Sequence, residues 1–169
     1  LQDPAGQRRD LSALHTHNPP FDPASAYGGD TPPQVLAAPS RYLQGDGVLG
    51  DLGRYLAPLG AQRAVVLTSA GGLQREGARL GAGLREAGLA AQFVTFGGEC
   101  SQAEIARAVA AVEAAGEKVD LLIAFGGGKC IDAGKCVAYR LAVPMVSCPS
   151  LASNDAPCSA VSVLYTPEG

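Results

Sequence analysis

Three consecutive glycines and a lysine form the part of this sequence best suited to chemistry. The segment 126–129, Gly-Gly-Gly-Lys, follows the apolar run 121–125 and precedes residues with helical character. A strand that ends in a glycine turn and leads into a helix directs backbone amides and the positive end of the helix dipole at one point. Glycine lets a ligand approach the backbone, and Lys129 adds a cation. The pattern predicts a pyrophosphate site, although a tight turn without a ligand would have the same sequence.

The glycine turn matches neither of the two common nucleotide-binding motifs. G-x-G-x-x-G would need glycine at Ile131, and a Walker A loop would need glycine at Ile123 and Ser or Thr at Cys130. Glycine amides at a helix start still suit a pyrophosphate. Asp132 is expected in the first turn of that helix, where it either compensates the dipole or hydrogen-bonds to a ribose or to backbone near the cofactor.

A second polar segment, 149–159, follows a later predicted strand. It carries hydroxyl groups at Ser150, Ser153 and Ser159 and one carboxylate at Asp155. A loop of small polar groups suits a hydroxylated ligand. A chain of Asx or Ser/Thr turns has the same composition, so both interpretations stay open.

The elements that must position these segments alternate between helices and strands. Apolar residues recur at helical spacing in four segments, one of which follows a capping box formed by Ser101 and Glu104. The predicted helices cover about 48–59, 73–84, 105–112 and 130–139. The predicted strands are 40–43, 64–68, 91–96, 119–125 and 143–148, and the pattern ends in the run 160–165.

This alternation predicts an α/β fold with right-handed βαβ units, a Rossmann-like parallel sheet and helices on both faces. Ligands in such sheets lie at the carboxyl ends of the strands. We therefore expect the site to be formed by three loops, Thr68–Gly72, Gly126–Lys129 and Pro149–Cys158.

Composition limits the class of protein. The chain has 169 residues, 47% of them hydrophobic, which fits one domain with a sizeable core. A net charge of -3 without a basic run argues against a nucleic-acid partner. No apolar run approaches the roughly 20 residues of a membrane helix, and no signal peptide is recognisable. Five cysteines without a C-x-x-C pair favour reduced, mostly buried thiols in a cytoplasmic protein.

The first 38 residues differ from the rest. They are rich in Pro, Gly, Asp and Ala without a periodic apolar face, which predicts a mostly disordered arm before a folded domain at 39–169. His15 and His17 lie in this arm without carboxylate or thiol partners, so we interpret them as solvated residues rather than metal ligands. The chain begins with Leu1 instead of methionine, as a fragment or a processed product would.

Taken together, these segments resemble the iron-containing (group III) alcohol dehydrogenase family, and within it the glycerol dehydrogenases. The resemblance runs from about residue 39 to the end of the chain. G-G-G-K-x-x-D-x-x-K at 126–135 is similar to the pyrophosphate motif of the family. F-G-G-E-C-S at 96–101 and A-S-x-D-A-P-C-S-A at 152–160 are similar to segments of the glycerol enzymes, and 39–45 looks like the first family strand.

The resemblance implies an NAD-binding N-terminal domain. It also implies a divalent metal, zinc in the glycerol enzymes, in a cleft against a C-terminal helical domain. The metal ligands, one aspartate and two histidines, are expected beyond Gly169, so this chain alone is expected to be inactive. Asp155 matches a position that contacts glycerol. Positions that match cofactor contacts are Ser69, Gly127, Gly128, Lys129, Asp132, Ser150, Ser153, Ser159, Val161 and Tyr165.

Ser69 departs from the family pattern. The first strand of the family's NAD domain usually ends in an aspartate that holds the adenine ribose, and serine stands there in this chain. Losing the carboxylate removes a strong acceptor and a charge that repels a 2′-phosphate. We hypothesise a weaker preference for NAD with some tolerance of NADP. A strong NAD preference in kcat/KM that survives Ser69→Ala would contradict this.

The function implied for the full-length enzyme is NAD-dependent oxidation of glycerol to dihydroxyacetone. The resemblance is also compatible with a homo-oligomer. One alternative is another polyol or alcohol dehydrogenase of the same family. The other is a non-catalytic, nucleotide-binding fragment.

Overall fold

The computed structural model describes residues 39–152 and 155–166. The arm predicted at 1–38 and the cofactor contact predicted at Ser153 lie outside the described residues. None of the described helices is long and apolar enough to cross a bilayer.

Four strands and four α-helices alternate along the described residues. The strands are β1 Arg63–Ser69, β2 Ala90–Phe96, β3 Leu121–Gly126 and β4 Met145–Pro149. The helices are α1 Leu52–Leu56, α2 Ala70–Glu86, α3 Gln102–Glu113 and α4 Gly128–Leu141, and a 3₁₀ turn at Ala57–Leu59 extends α1. All strand pairs are parallel, in the order β2-β1-β3-β4. The predicted α/β class with a parallel sheet is confirmed.

The two central strands are buried on both faces, because successive side chains point to opposite sides of a sheet. In β1, Val65 and Leu67 join one core cluster, whereas Ala64 and Val66 join the other. The first cluster packs against α3 and α4, which contribute Ile105, Val112, Ile131 and Val137. The second packs against α1 and α2, which contribute Leu52, Leu56, Leu80 and Leu84. The sheet is therefore a middle layer between two pairs of helices.

The strand order creates a crevice at one edge of this middle layer. From β1 the chain first passes to β2 on one side, and it then crosses to β3 on the other side. Ligands of parallel α/β sheets bind at such a switch point, outside the carboxyl ends of the strands. Ser69 pairs with Phe96 and Gly126 pairs with Pro149, so the strands end close to one level.

The structure corrects several predicted elements. Ser40–Leu43 is not a strand: Tyr42 is 74% exposed, and this segment pairs with no strand among the described residues. The loop predicted at Thr68–Gly72 is absent, because Ser69 caps a helix that begins at Ala70. The run 160–165 has no regular secondary structure. A strand needs a neighbour as well as a pattern, and local sequence does not report the neighbour.

The capping box at α3 forms only in part. Ser101 Oγ accepts from the amide of Glu104 at 3.2 Å, as predicted. The Glu104 carboxylate does not return to Ser101: it accepts from the amide of Gly97 at 2.7 Å and pairs with Arg107. The Arg107 guanidinium lowers the pKa of Glu104. The start of α3 is therefore tied to the loop after β2.

All five cysteines are free thiols. Cys100 and Cys130 are buried, two others are half-buried, and Cys158 is exposed, so the prediction of burial holds fully for two of them. Burial raises the pKa of Cys130 to about 12, and this thiol therefore stays protonated at neutral pH. Cys130 thus packs as a small apolar residue beneath the glycine turn.

Candidate functional site

A cavity of about 340 Å³ opens at the switch point, beside the carboxyl ends of β1, β2 and β3. Residues from all three strand ends, from α2 and from the start of α4 surround it. They are Ser69, Gly72, Arg75, Phe96, Gly98, Phe125, Gly126, Gly127, Gly128, Lys129, Cys130 and Ser150. The site residues predicted at the glycine turn, at Ser69 and at Ser150 thus border one space.

The glycine turn presents the start of α4 to this cavity. Gly127 is the N-cap residue, and because it has no side chain, it makes no side-chain cap hydrogen bond. The first intrahelical bond recorded at this end runs from the amide of Ile131 to the carbonyl oxygen of Gly127 at 3.1 Å. The amides that precede Ile131 in the helix lack intrahelical acceptors. The helix thus offers donors, together with its positive dipole end, to an anion.

Packing explains one of the glycines and not the next. A Cβ at Gly126 would lie 2.8 Å from Cys130 Cβ, so glycine is required there without any ligand. A Cβ at Gly127 would meet only Leu151 Cδ1, at an ordinary 3.8 Å, and its φ of -79° suits any residue. The alternative of a tight turn without a ligand accounts for Gly126. It leaves Gly127 without a packing reason.

Lys129 is engaged by two neighbours. Its Nζ lies 2.7 Å from Glu99 Oε2 and 4.6 Å from the ring centroid of Tyr165. The hydrogen bond to Glu99 raises the pKa of Lys129, and it lowers the pKa of Glu99. Glu99 Oε1 also accepts from the amide of Cys100 at 3.0 Å. Lys129 therefore borders the cavity as one half of an exposed ion pair.

The carboxyl end of β1 carries a hydroxyl and a guanidinium. Ser69 Oγ accepts from the amide of Gly72 at 3.1 Å and so caps α2. Gly72 is required here, because a Cβ would lie 2.4 Å from Thr68 Oγ1. Arg75 follows on the same helix, and no carboxylate pairs with it among the described residues.

Asp132 faces away from the cavity. It lies beyond the first turn of α4, because the helix begins at Gly128, about two residues earlier than predicted. Its Oδ1 pairs with Lys135 at 2.9 Å, and its Oδ2 accepts from the amide of Val163 at 3.2 Å. The prediction that Asp132 compensates the helix dipole in the first turn is therefore wrong. Its proposed cofactor contact stays a prediction.

The remaining predicted site residues lie along the segment after β4. The amide of Ser150 donates to the carbonyl oxygen of Gly126 at 2.9 Å and so anchors this segment to the glycine turn. The carbonyl oxygen of Asp155 accepts from Cys158 and Ser159 amides, both at 3.0 Å, as a turn would. Val161 is 69% exposed. Of these residues, only Ser150 borders the cavity.

Sequence patterns did not single out Arg75 and Glu99 as site residues. Arg75 follows Gly71 by four positions, and side chains on a helix lean toward its N-terminus, so helical spacing could have placed the guanidinium over the first turn. Glu99 is 30 residues from Lys129, and no local signal connects the two. Their proximity follows from the sheet, which brings the loop after β2 to the turn after β3.

A larger cavity, of about 680 Å³, lies elsewhere, between the second half of α4, the start of α3 and residues 160–164. Its lining includes no glycine turn and no residue from the carboxyl ends of β1, β2 or β3. The groups suited to chemistry gather at the smaller cavity, which we take as the candidate site. Within 39–152 and 155–166, no group of three or more His, Cys, Asp or Glu side chains could hold a metal ion, so these residues offer no site for the implied zinc.

Comparison with known proteins places this geometry in a family. The model of the iron-containing alcohol dehydrogenases matches residues 39–169. A glycerol dehydrogenase of Escherichia coli O6:H1 is 40% identical over 136 residues, which are 80% of this chain and 36% of that protein. A glycolaldehyde reductase of Halobacterium salinarum is 38% identical over 135 residues, 80% of this chain and 36% of that protein.

The fold agrees with a solved relative. The crystal structure of a probable glycerol dehydrogenase from Sinorhizobium meliloti 1021 aligns with a TM-score of 0.70 and 38% identity, over 81% of this chain and 36% of that one. The chain thus spans about a third of the length of the relatives it matches.

Proposed function

The chain belongs to the iron-containing alcohol dehydrogenase family, and on that premise we propose that it is the cofactor-binding domain of an NAD-dependent polyol dehydrogenase. The full-length enzyme would oxidise glycerol to dihydroxyacetone. Glycerol dehydrogenases among the relatives support the polyol substrate. The cytoplasmic location and a homo-oligomeric state remain predictions.

One observation carries the cofactor role: the uncapped start of α4 behind Gly127, open to the cavity at the switch point. Its free amides and dipole suit a pyrophosphate, which is doubly charged and rich in acceptor oxygens. Phe96 and Phe125 line the cavity, and such apolar residues suit the rest of a dinucleotide.

The described residues would bind and orient the cofactor rather than transform it. Bound NAD would supply the hydride acceptor, and zinc, in the full-length enzyme, would supply the Lewis acid for the alcohol. The amides behind Gly127 would fix the pyrophosphate, and Ser150 would hold the next segment against the turn. The proposed contact of Asp155 with glycerol agrees with the exposure of this residue.

A test of cofactor binding uses Gly127→Ala. The added methyl group has room against the protein, so the variant should fold, but it would stand where the pyrophosphate must approach the amides. We expect the Kd for NAD⁺, measured by calorimetry, to rise about tenfold or more.

Gly81→Ala, in the middle of α2, is the matched control, because its Cβ would make only ordinary 3.6 Å contacts with the ring of Phe93 on β2. This control should keep the Kd of the unaltered chain. Absence of NAD⁺ binding to the unaltered, folded chain would refute the proposal. If Gly127→Ala binds NAD⁺ as tightly as the unaltered chain, the glycine turn is not part of the binding site.

Activity measurements distinguish the glycerol dehydrogenase from the two alternative functions. If the full-length, zinc-loaded protein reduces NAD⁺ no faster with glycerol than without it, glycerol is not the substrate. Activity with another polyol or with glycolaldehyde would then favour a sibling dehydrogenase, in line with the similarity to a glycolaldehyde reductase. Binding of NAD⁺ without turnover of any alcohol would favour a nucleotide-binding protein.

A further inference from the structure

The charges around the cavity are unbalanced. Its lining contains two cations, Arg75 and Lys129, and no carboxylate among the described residues. Glu99 already engages Lys129 through a 2.7 Å hydrogen bond. Arg75 has no ion pair in the described part of the chain, so it is the cation that the protein itself leaves available.

Arg75 is positioned over the start of α2. Its Nη1 lies 3.1 Å from the point where a Cβ of Gly71 would stand, so the guanidinium folds back over the first turn of the helix. Glycine at 71 leaves the space that the guanidinium uses. A positive group at the positive end of a helix is electrostatically unfavourable by itself. An anion bound between the guanidinium and the helix start would make the electrostatic interaction at this place favourable.

The end of β1 lacks the group that would exclude such an anion. A carboxylate at the end of this strand would accept from a ribose diol and would repel a phosphate on the ribose. Ser69 carries no charge, and its Oγ is committed to capping α2 through Gly72. A guanidinium, in contrast, suits a phosphate, because its donors form a planar fork that binds two oxygens at once.

The two anion positions lie at the ends of neighbouring strands and border one cavity. β1 and β3 are adjacent parallel strands, which lie about 4.8 Å apart. A pyrophosphate on the amides behind Gly127 therefore leaves the attached ribose within reach of the end of β1. Ser69, Arg75 and the glycine turn border the same cavity.

We propose that Arg75 is a specificity-determining residue that binds the 2′-phosphate of NADP at the start of α2, so that the site accepts the phosphorylated dinucleotide as well as NAD. This inference rests on the proposed dinucleotide site. It adds a second anion position to that site. Arg75 would form this position, and binding of the pyrophosphate at the glycine turn does not depend on it.

The test compares two cofactors on each variant, so that a general loss of folding cancels from the ratio. Calorimetry with NAD⁺ and with NADP⁺ gives the ratio of Kd(NADP⁺) to Kd(NAD⁺) for the unaltered chain and for Arg75→Ala. We expect the unaltered chain to bind both cofactors and Arg75→Ala to raise the ratio about tenfold. Arg75→Lys keeps the charge without the fork and should give an intermediate ratio.

Two further variants sharpen the result. Arg85→Ala removes the same charge from the last turn of α2, where the side chain is exposed, and should leave the ratio unchanged. Ser69→Asp keeps a capping side chain and adds the missing carboxylate, so it should raise the ratio. 2′,5′-ADP serves as a smaller probe of the 2′-phosphate position.

The outcomes separate the two proposals. If Arg75→Ala leaves the ratio of Kd values unchanged, or if Arg85→Ala raises it equally, the proposed role of Arg75 is wrong. Binding of NAD⁺ would still support the cofactor domain. The role of Arg75 is also overturned if the unaltered chain binds NAD⁺ but not NADP⁺. A folded chain that binds neither dinucleotide refutes the proposed function, and the role of Arg75 falls with it.

Discussion

Single side chains around the glycine turn set the charge that an incoming phosphate meets. Lys129 is shared between the Glu99 carboxylate and the ring of Tyr165. Glu99 is also held by the amide of Cys100, so both of its oxygens have partners. A negative group this close to the anion position opposes the binding of a pyrophosphate, and it also restrains the nearest lysine.

Glu99→Gln should therefore strengthen cofactor binding. The substitution keeps the size of the side chain and removes the charge, which frees Lys129 to approach the pyrophosphate. We expect the Kd for NAD⁺ to fall about threefold at low ionic strength, and less at high salt, because exposed charges are screened. Calorimetry at two salt concentrations measures both effects.

Glu113→Gln provides the comparison for that experiment. This carboxylate is exposed at the end of α3 and forms no ion pair with a described residue. It should leave the Kd unchanged. Weaker NAD⁺ binding in Glu99→Gln would mean that the Glu99–Lys129 pair positions the lysine for its ligand instead of restraining it.

At the scale of elements, glycines allow α1 and α2 to meet backbone to backbone. A Cβ at Gly53 would lie 2.3 Å from the carbonyl oxygen of Gly83, and a Cβ at Gly83 would lie 1.8 Å from that of Gly50. Neither contact can be relieved by rotation of a side chain. This close approach seats Leu52 and Leu56 against the sheet and holds the helix whose start borders the cavity.

Gly83→Ala should destabilise the fold, because the methyl group forces the α1 region away from α2. We expect a loss of about 1–3 kcal/mol in the free energy of unfolding, as overpacked cores show, measured by urea denaturation.

Gly81→Ala is again the matched variant, on the same helix and with ordinary contacts. It should be neutral or should stabilise the protein by up to about 1 kcal/mol, because alanine favours helix. Equal stabilities of the two alanine variants would show that the backbones of α1 and α2 do not touch in solution.

On the scale of the whole molecule, the irregular segment 159–166 is held to the rest of the domain by hydrogen bonds rather than by strand pairing. Lys135 Nζ donates to the carbonyl oxygen of Val161 at 2.7 Å, and Asp132 Oδ2 accepts from the Val163 amide. Farther on, the Tyr165 amide donates to the carbonyl oxygen of Cys100 at 2.8 Å. These contacts bring the Tyr165 ring to Lys129.

Lys135→Met should loosen this segment. The methionine keeps the apolar stem, but it removes the bond to Val161 and leaves the buried Asp132 without its cation. We expect a loss of about 2–3 kcal/mol in unfolding free energy and faster amide exchange of residues 159–166, measured by hydrogen–deuterium exchange.

Lys118→Met tests whether loss of a lysine charge alone has this effect. Lys118 is exposed, and its substitution should change the unfolding free energy by less than about 0.5 kcal/mol. Unchanged exchange at 159–166 in Lys135→Met would show that the segment is held by other contacts.

Much of this protein follows from local rules of sequence. Strands β1 to β4 and the helices between them were recognisable, because side-chain periods of 2 and 3.6 are properties of short segments. The glycine turn was recognisable for the same reason, since a strand, three glycines and a helix start are consecutive. Ser101 was recognised as a helix cap because its acceptor is three residues from the amide it binds.

Tertiary structure decided the features that connect distant residues. Glu99 meets Lys129 across 30 positions, and Asp132 turns to Val163 across 31, because the order β2-β1-β3-β4 and the path of the last segment bring them together. Ser40–Leu43 has a strand-like composition but no neighbouring strand in the described structure. Arg75 borders the site only because α2 starts beside the turn after β3. Such contacts depend on how elements are arranged in space, and no period or motif within one element contains that information.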